Sequence, residues 1–457
     1  MPRKESRHRR CSFEERAHRS SASHRGCRTR ERTGTEVSLL LLGQSESGKS
    51  TLQKQFQLLY APSTFNEERP AWRAIIFINI ISAVRDILRV LEDVAKKSPH
   101  FAGPSQRSDP LHLARLRLGP LLSMESKLVQ AVDAGYHTDN DGSREIFVHQ
   151  GWQRKHLATP RTETPGGARS LDETHRESLE DETLSETSHL LDVCKDYIRE
   201  LSGHPDVIRL TESGKIMLKE SSSLSVCMFF ICLPCLELNN FLMARSSFLS
   251  DLDRLALPQW VPTDSDILYA RVRTVGVATH HYSISVRNKT RSWRLFDVGG
   301  TRGQRKAWLP FFEGTTAVIF LAPVSVFDEF LDEAPETNRM DDCMQLFSDI
   351  SSSPLLKKTH IVLFLNKSDI LRRKLLHGIR ITDFINTFAP RENEISVALQ
   401  FFRDHFSEIF FRTNKVNDRR QLFVHATTIV DIPLMRKLID RVVTAIFFEH
   451  FRSATLI

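Results

Sequence analysis

The chain has 457 residues, of which 40% are hydrophobic and 26% charged, so it is typical of a globular protein with room for two or three domains. Its seven cysteines have no regular spacing, which excludes a disulfide framework and indicates a reducing, cytoplasmic setting. The formal net charge of +7 arises in residues 1–35, where eleven Lys and Arg accompany four acids, so the remainder is formally neutral.

Residues 1–35 form a basic arm that we expect to be disordered, because it has neither an apolar core nor the hydrophobic region of a signal peptide. Three interpretations stay open. The arm is a solvated tail, or it is attracted to the anionic inner face of the plasma membrane at about 1 kcal/mol per basic residue, or, least favoured, it binds nucleic acid. Pro2 excludes N-myristoylation, whereas Cys11 and Cys27 are candidate palmitoylation sites.

A phosphate-binding loop follows the arm. Val37–Leu42 is a wholly apolar run, typical of a strand buried on both faces of a parallel sheet, and the pattern from Lys49 to Tyr60 predicts a helix. Strand, glycine loop and helix are the context that a phosphate loop requires, because successive backbone N–H groups at a helix N-terminus bind anions. The predicted nucleotide contacts here are Gly43, Glu46, Ser47, Gly48, Lys49, Ser50 and Thr51.

In this loop, Lys49 is predicted to neutralise the β- and γ-phosphate oxygens, and the Ser50 hydroxyl to ligate Mg²⁺. The loop by itself does not say which base the nucleotide carries. It therefore predicts a nucleoside triphosphate site with magnesium.

Residues 63–268 are predicted to be an all-helical insertion, beginning with a helix over Trp72–Val94. Within it, residues 158–188 are rich in Thr, Ser, Glu, Pro and Gly, which predicts a disordered acidic loop. Residues 225–244 are an abrupt apolar block, whose core of about ten apolar residues around Pro234 is too short for a membrane span, which needs about 20. Since the flanking KESSS and RSSFLSDLDRL read as one helix when joined, we hypothesise that this block is a retained in-frame intron.

Apolar strands return after the insertion, at Ala317–Leu321, His360–Leu365 and Leu422–His425. Each is followed by polar loop residues and a helical pattern, the last over Ile432–Phe451. This alternation predicts a doubly wound, mostly parallel α/β sheet with ligand loops at the carboxyl ends of its strands. We expect residues 36–62 and 269–457 to form this α/β domain, with residues 63–268 inserted into it.

Two further motifs specify the ligand. In Asp297-Val298-Gly299-Gly300, Asp297 can hold Mg²⁺ through water, and the Gly300 N–H can reach a γ-phosphate. In Asn366-Lys367-Ser368-Asp369, the Asp369 carboxylate can accept from the ring N–H and amine of guanine, while Asn366 and Lys367 brace the base pocket. The remaining backbone contact to the guanine oxygen is assigned to Ala426 and Thr427. Together these motifs predict GTP or GDP with Mg²⁺ as the ligands.

The stretches LLLLGQSESGKST, DILYARVRTVGV, FDVGGTRGQRKAW, NRMDDCMQLF and FLNKSD resemble those of heterotrimeric G-protein α subunits, in particular divergent members of mushroom-type fungi. The similarity is close over residues 36–62 and 245–457. It implies a Ras-like P-loop GTPase domain with an inserted helical domain. It further implies a switch in G-protein-coupled receptor signalling that hydrolyses GTP and partners with a βγ dimer, a seven-helix receptor and an effector.

The resemblance also assigns residue roles. It makes Arg271 a built-in arginine finger, Thr274 a second Mg²⁺ ligand beside Ser50, and Leu268 a nucleotide contact. Arg302, Arg305 and Trp308 fall in the segment that resembles the second switch, and residues 454–457 in the receptor-reading tail.

Two residues near the predicted γ-phosphate depart from the family pattern. Thr301 stands where the family has the glutamine that orients the attacking water, and Ser45 stands where it usually has glycine. We therefore predict slow hydrolysis that depends on Arg271. The alternatives are a GTP-binding scaffold or decoy with negligible turnover, and, last, a membrane or nucleic-acid protein that acts through its basic arm.

Overall fold

The computed structural model describes residues 36–97, 110–132, 134–138, 144–148, 152–155, 171–205, 207, 248–274, 276–331, 334–414 and 420–454. The basic arm and the apolar block at 225–244 lie outside these ranges, as do residues 158–170 and 455–457. The expectations for those segments, including the intron hypothesis, therefore stay predictions. In the described part of the chain, no helix combines the length and apolar character needed to cross a membrane.

The strands are β1 Glu36–Gly43, β2 Gly135–Thr138, β3 Arg144–Val148, β4 Arg273–Thr274, β5 Val277–Val286, β6 Lys289–Val298, β7 Ala317–Pro323, β8 Phe330–Leu331, β9 Ala334–Asn338, β10 His360–Asn366 and β11 Leu422–Ala426. The α-helices are α1 Lys49–Tyr60, α2 Pro62–Glu67, α3 Trp72–Lys97, α4 Pro110–Ala131, α5 Trp152–Lys155, α6 Leu171–Ser202, α7 Leu252–Leu255, α8 Asp264–Tyr269, α9 Arg339–Ser352, α10 Ser368–Leu376, α11 Ile395–Thr413 and α12 Ile432–Ala454.

A six-stranded sheet with the order β11-β10-β7-β1-β6-β5 organises the α/β part of the chain. Strands β1, β7, β10 and β11 pair in parallel, and β5 and β6 form an antiparallel hairpin at one edge. Arg287 and Asn288 turn that hairpin with φ of 45° and 64°, the positive values that a two-residue turn matching strand twist requires. The predicted strands are confirmed, and each continues one or two residues further at its carboxyl end.

The sheet is covered on both faces, because alternate side chains of each buried strand enter different cores. Leu40 and Leu42 of β1 belong to a cluster with α9, α10 and α11, whereas Leu39 and Leu41 belong to one with α1 and α12. This alternation follows from the two-residue repeat of a strand. The structure thus has the predicted doubly wound arrangement.

Parallel pairing brings the carboxyl ends of the strands to one edge of the sheet. Gly43 pairs with Leu321, and Asn366 pairs with Pro323. Leu365 pairs with Ala426 on the next strand. Asn366 is 319 residues from Ser47 of the phosphate loop and 61 residues from Thr427. The phosphate loop, the Asn366 motif and the Ala426-Thr427 segment therefore leave the sheet side by side despite their distance in sequence.

Residues between Phe65 and Ala270 build a third core of their own, mainly from α3, α4 and α6. The predicted helix over Trp72–Val94 is confirmed as α3, and its apolar spacing buries one face in this core.

The insertion is mainly helical, and the structure adds a short sheet that the prediction of an all-helical insertion lacks. Strands β2 and β3 form a short antiparallel hairpin within it, and β3 pairs in parallel with β4, so that Phe147 lies opposite Arg273. Strands of four and five residues carry too few alternating positions to be distinguished from loop by periodicity.

The structure also differs from the predicted loop over 158–188, because α6 begins at Leu171. The segment reads as a loop because it is rich in Ser, Thr and acidic residues. However, Thr187 and Ser188 are buried, and Leu191 and Ile198 further along α6 pack into the third core. Burial of this face stabilises a helix that the composition alone disfavours.

Candidate functional site

The backbone of the phosphate loop has positive φ at three positions, which are Gly43 at 144°, Glu46 at 61° and Gly48 at 102°. Gly48 is the N-cap of α1, and a Cβ added there would lie 2.6 Å from Nδ2 of Asn366. The loop therefore needs glycine at residue 48 for both its conformation and its contact with the next motif.

Lys49 is buried, and its Nζ donates to the carbonyls of Gly43 at 2.9 Å and Gln44 at 2.6 Å. Burial lowers the pKa of Lys49 to about 8, against the raising effect of the Asp297 carboxylate. The Ser47 hydroxyl is also buried and has no hydrogen-bond partner among the described residues. An enclosed ammonium group and an unpartnered hydroxyl beside a helix N-terminus fit the oxygens of a phosphate chain.

The predicted magnesium residues meet beside this loop. Ser50 Oγ donates to Asp297 Oδ2 at 2.7 Å, which joins the start of α1 to the end of β6. Gly300 lies against the loop, since a Cβ there would be 2.5 Å from Lys49 Nζ. Mg²⁺ is commonly held by one or two protein oxygens together with phosphate oxygens and water, so this pair fits the ion. Thr274 lies on β4, and its side chain is outside the described part of the structure.

Asn366 joins the phosphate loop to the predicted base loop. Its Nδ2 donates to the Ser47 carbonyl at 2.8 Å. Its Oδ1 accepts from Thr427 Oγ1 at 3.3 Å and from the backbone N–H of Ile429 at 3.2 Å. One buried carboxamide thus holds together three segments that the sequence assigns to the same nucleotide.

The other base-motif residues surround this junction. Lys367 has a φ of 62° at the start of α10, and its pKa is lowered to about 7 by burial and then by the nearby Lys374. Asp369 accepts from Thr428 Oγ1 at 3.1 Å. Ala426 is exposed at the end of β11. The structure therefore brings all the residues predicted for the base to one place.

A network of charged side chains connects the phosphate loop to the helix after the base motif. Arg339 donates to Glu329 at 2.8 Å and to the Ser45 carbonyl at 3.2 Å. Lys374 of α10 donates to the same Glu329 at 2.9 Å. Since Glu329 is buried, these two partners are needed to compensate its charge. The network thus links the phosphate loop to α10 through Glu329.

Arg271 reaches the phosphate loop, where its guanidinium forms an ion pair with the Glu46 carboxylate. Leu268, three residues before Arg271 in the sequence, is buried in α8. The structure thus places the predicted arginine finger beside the predicted phosphate site, although 225 residues separate it from Glu46.

The segment after Gly300 is a 3-10 helix over Arg302–Phe311. Trp308 is buried and its Nε1 donates to the Gly299 carbonyl at 2.9 Å, which ties this helix to the end of β6. Thr301 Oγ1 donates to Gln304 Oε1 at 3.0 Å. The Thr301 hydroxyl, at the predicted catalytic position, is therefore bonded to a side chain of the 3-10 helix that follows it.

Sequence reasoning missed Asp342, which fastens this 3-10 helix to α9 and to the loop. Asp342 accepts from Arg302 at 3.0 Å, from Arg305 at 2.5 Å and from Gln44 Nε2 at 2.6 Å. Burial would raise the pKa of Asp342, but the hydrogen bonds from Arg305, Gln44 and Arg302 hold it below its usual range. The contact arises from residues far apart in sequence, so no local pattern could have revealed it.

Asn79 and Lys54, which bond to the segment around Arg271, were also missed. A signal for Asn79 was present, because it is a single amide within the apolar run IIFINII of α3. A polar side chain within such an apolar run usually has a hydrogen-bond partner.

The phosphate loop lies between the first strand and the first helix of a doubly wound sheet, and Asn366 joins it to a second loop. This arrangement defines the class of P-loop nucleotide-binding proteins.

Comparison with known proteins narrows this class to a family. A family model described as the G-protein alpha subunit matches residues 15–446. The guanine nucleotide-binding protein alpha-4 subunit of Mycosarcoma maydis is 27% identical over 93% of this chain and 84% of its own length. The guanine nucleotide-binding protein alpha-2 subunit of Pisum sativum is 30% identical over 87% of this chain and 84% of its own. The chain belongs to the G-protein α subunit family.

Membership accounts for both halves of the fold, a Ras-like domain and an inserted, mainly helical domain. Members of the family are GTPases that bind GTP and GDP, generally with Mg²⁺, and act as signalling switches with βγ dimers, receptors and effectors.

Proposed function

We propose that this chain binds GTP and GDP with Mg²⁺ and hydrolyses GTP slowly, as a switch in receptor signalling. The junction at Asn366 carries the proposal, because it joins the phosphate loop to the predicted guanine pocket in a single site. Lys49 and the loop N–H groups would hold the phosphates. Asp369 would select guanine, with Lys367, Ala426 and Thr427 completing its pocket.

The groups needed for hydrolysis are assigned to individual residues. Arg271 would stabilise the charge that develops on the γ-phosphoryl group, as an arginine supplied within the same chain does. Ser50 would ligate Mg²⁺, with Asp297 and Thr274 completing its surroundings; when bound, the ion neutralises phosphate charge. Thr301 is shorter than glutamine and bonds to Gln304, so it would orient water poorly. This weakness is the basis for slow turnover.

A second candidate is a GTP-held scaffold with negligible hydrolysis. The Thr301 to Gln304 hydrogen bond favours it, because the hydroxyl is already engaged within the 3-10 helix. We further propose that Arg302 and Arg305, together with the C-terminal segment, serve the βγ, effector and receptor contacts of the family. The basic arm would add attraction to an anionic membrane surface.

Trp308 offers a direct test of switching. Adding GTP with Mg²⁺ should increase its fluorescence, because nucleotide at Gly300 would reposition the 3-10 helix that Trp308 fastens to Gly299. We expect the signal to decay slowly as GTP is hydrolysed, and a Trp308→Phe variant to show no change. A persistent increase with no phosphate release would favour the scaffold. No response, with no binding of labelled GTP, would contradict the proposal altogether.

Replacing Lys49 tests the phosphate site itself. Lys49→Ala should weaken the binding of a fluorescent GTP analogue by about 10- to 100-fold, because a charge-assisted hydrogen bond contributes roughly 1.5–3 kcal/mol. The matched control is Lys437→Ala, which removes the same charge from an exposed position on α12. Equal affinities of the two variants would show that the loop does not hold the phosphates.

A further inference from the structure

A single side chain of α3 holds both backbone polar groups of Arg271. Asn79 Oδ1 accepts from the Arg271 N–H at 2.6 Å, and Asn79 Nδ2 donates to the Arg271 carbonyl at 2.9 Å. Two bonds from one planar carboxamide restrict the rotation of the Arg271 backbone about its neighbours. They therefore determine the direction in which the Arg271 side chain leaves the chain.

Asn79 is itself held firmly. Its neighbours Ile78 and Ile80 are fully buried in the core of the inserted region, and α3 is 26 residues long. Because such cores are close-packed, the buried neighbours fix the backbone of α3 at Asn79. The carboxamide is thus a fixed reference point for Arg271.

A second anchor holds the same segment from the opposite helix. Lys54 of α1 is buried, and its Nζ donates to the carbonyls of Ile267 at 2.8 Å and Ala270 at 2.9 Å. It also lies 4.1 Å from the ring centroid of Trp72 at the start of α3. Residues 267–271 are therefore fastened to α1 on one side and to α3 on the other.

We propose that Asn79 is a positioning residue that places the Arg271 guanidinium for GTP hydrolysis. The inference rests on the role proposed above for Arg271. With its backbone fixed by Asn79 and its guanidinium paired with Glu46, Arg271 spans from the inserted region to the phosphate loop. The inserted region thereby acts on the γ-phosphoryl group through the Asn79 carboxamide and the Arg271 backbone that it holds.

The test compares Asn79→Ala with Ser82→Ala. Ser82 lies on the same helix, is also half-buried, and bonds to Glu125 rather than to the Arg271 segment. Asn79→Ala should slow single-turnover hydrolysis by about 10- to 100-fold, because a small misplacement of a catalytic group has an effect of this size. The affinity for GTPγS should stay within about twofold of the parent. Ser82→Ala should leave both unchanged. Hydrolysis at the parent rate in Asn79→Ala would overturn the proposal.

A double variant separates positioning from a general loss of structure. If Asn79 acts through Arg271, Asn79→Ala should slow hydrolysis no further in an Arg271→Ala background. If the two losses multiply instead, Asn79 acts independently of Arg271 and the proposal fails.

Hydrogen exchange provides a readout that does not require turnover. In the GTPγS-bound protein, Asn79→Ala should accelerate exchange of the Arg271 amide at least tenfold, because it removes the acceptor of that N–H, whereas Ser82→Ala should not. An unchanged exchange rate of the Arg271 amide would contradict the proposal that Asn79 positions Arg271. If the parent itself hydrolyses no faster than Arg271→Ala, the proposed GTPase function fails, and exchange alone then decides whether Asn79 places Arg271.

Discussion

Replacing Arg271 with alanine should slow single-turnover GTP hydrolysis by about a thousandfold, the lower end of what an arginine finger contributes. The guanidinium already lies at the phosphate loop through Glu46, so it needs little movement to reach a γ-phosphoryl group. Affinity for GTPγS should change by less than about threefold, because the arginine acts on charge that develops only in the transition state.

Two further variants test whether the effect of Arg271→Ala is specific to this guanidinium. Arg271→Lys keeps the positive charge but loses the planar, forked donor, and should recover only a small part of the rate. Arg372→Ala removes an equal charge from an exposed position on α10 and should hydrolyse GTP like the parent. If Arg271→Ala retains the parent rate, the residual turnover must depend on another group, and the assigned role of Arg271 is wrong.

Replacing Thr301 with glutamine should have the opposite effect, accelerating hydrolysis by on the order of 10²- to 10³-fold, the typical contribution of one well-placed hydrogen-bonding group. The longer carboxamide can extend from the residue after Gly300 toward an attacking water, which a hydroxyl bonded to Gln304 cannot. The measurement is phosphate release in a single turnover, with GTPγS affinity as the check on folding.

Thr301→Ala is the matched control, since it removes the hydroxyl without adding a carboxamide, and its rate should stay within about threefold of the parent. Ser45→Gly combined with Thr301→Gln should be faster than Thr301→Gln alone, because Ser45 adds a side chain beside the predicted γ-phosphate. A Thr301→Gln variant no faster than the parent would disprove the explanation for slow turnover.

These two variants would distinguish the switch from the scaffold. If the parent hydrolyses GTP and Arg271→Ala loses this activity, the protein is an enzyme whose catalytic group at residue 301 is weakened. An inactive parent that becomes active with Thr301→Gln is a scaffold that retains the remaining machinery. Both outcomes rely on the same geometry, in which Arg271, Gly300 and Lys49 meet at the phosphate loop.

Much of this protein could be predicted from sequence because its key motifs are short and contiguous. The phosphate loop and the Asn366 motif each follow an apolar strand, and their backbone conformations depend on residues only a few positions apart. The long helix α3 was recognisable because its apolar spacing repeats over many turns. Parallel pairing then follows from the βα alternation, which brings the motifs to one edge.

Tertiary structure alone decided the contacts that position these motifs. Asn79 and Arg271 are 192 residues apart, and Gln44 and Asp342 are 298 apart. Local patterns carry no record of such pairings, because they arise only once separate elements pack together. The same reason explains where the inserted region differs from its prediction: β3 pairs with β4 across more than a hundred residues, and burial of one face stabilises α6. The sequence by itself thus determined the motifs that predict a guanine nucleotide with Mg²⁺. Only the packing of separate elements determined which contacts hold Arg271 in place.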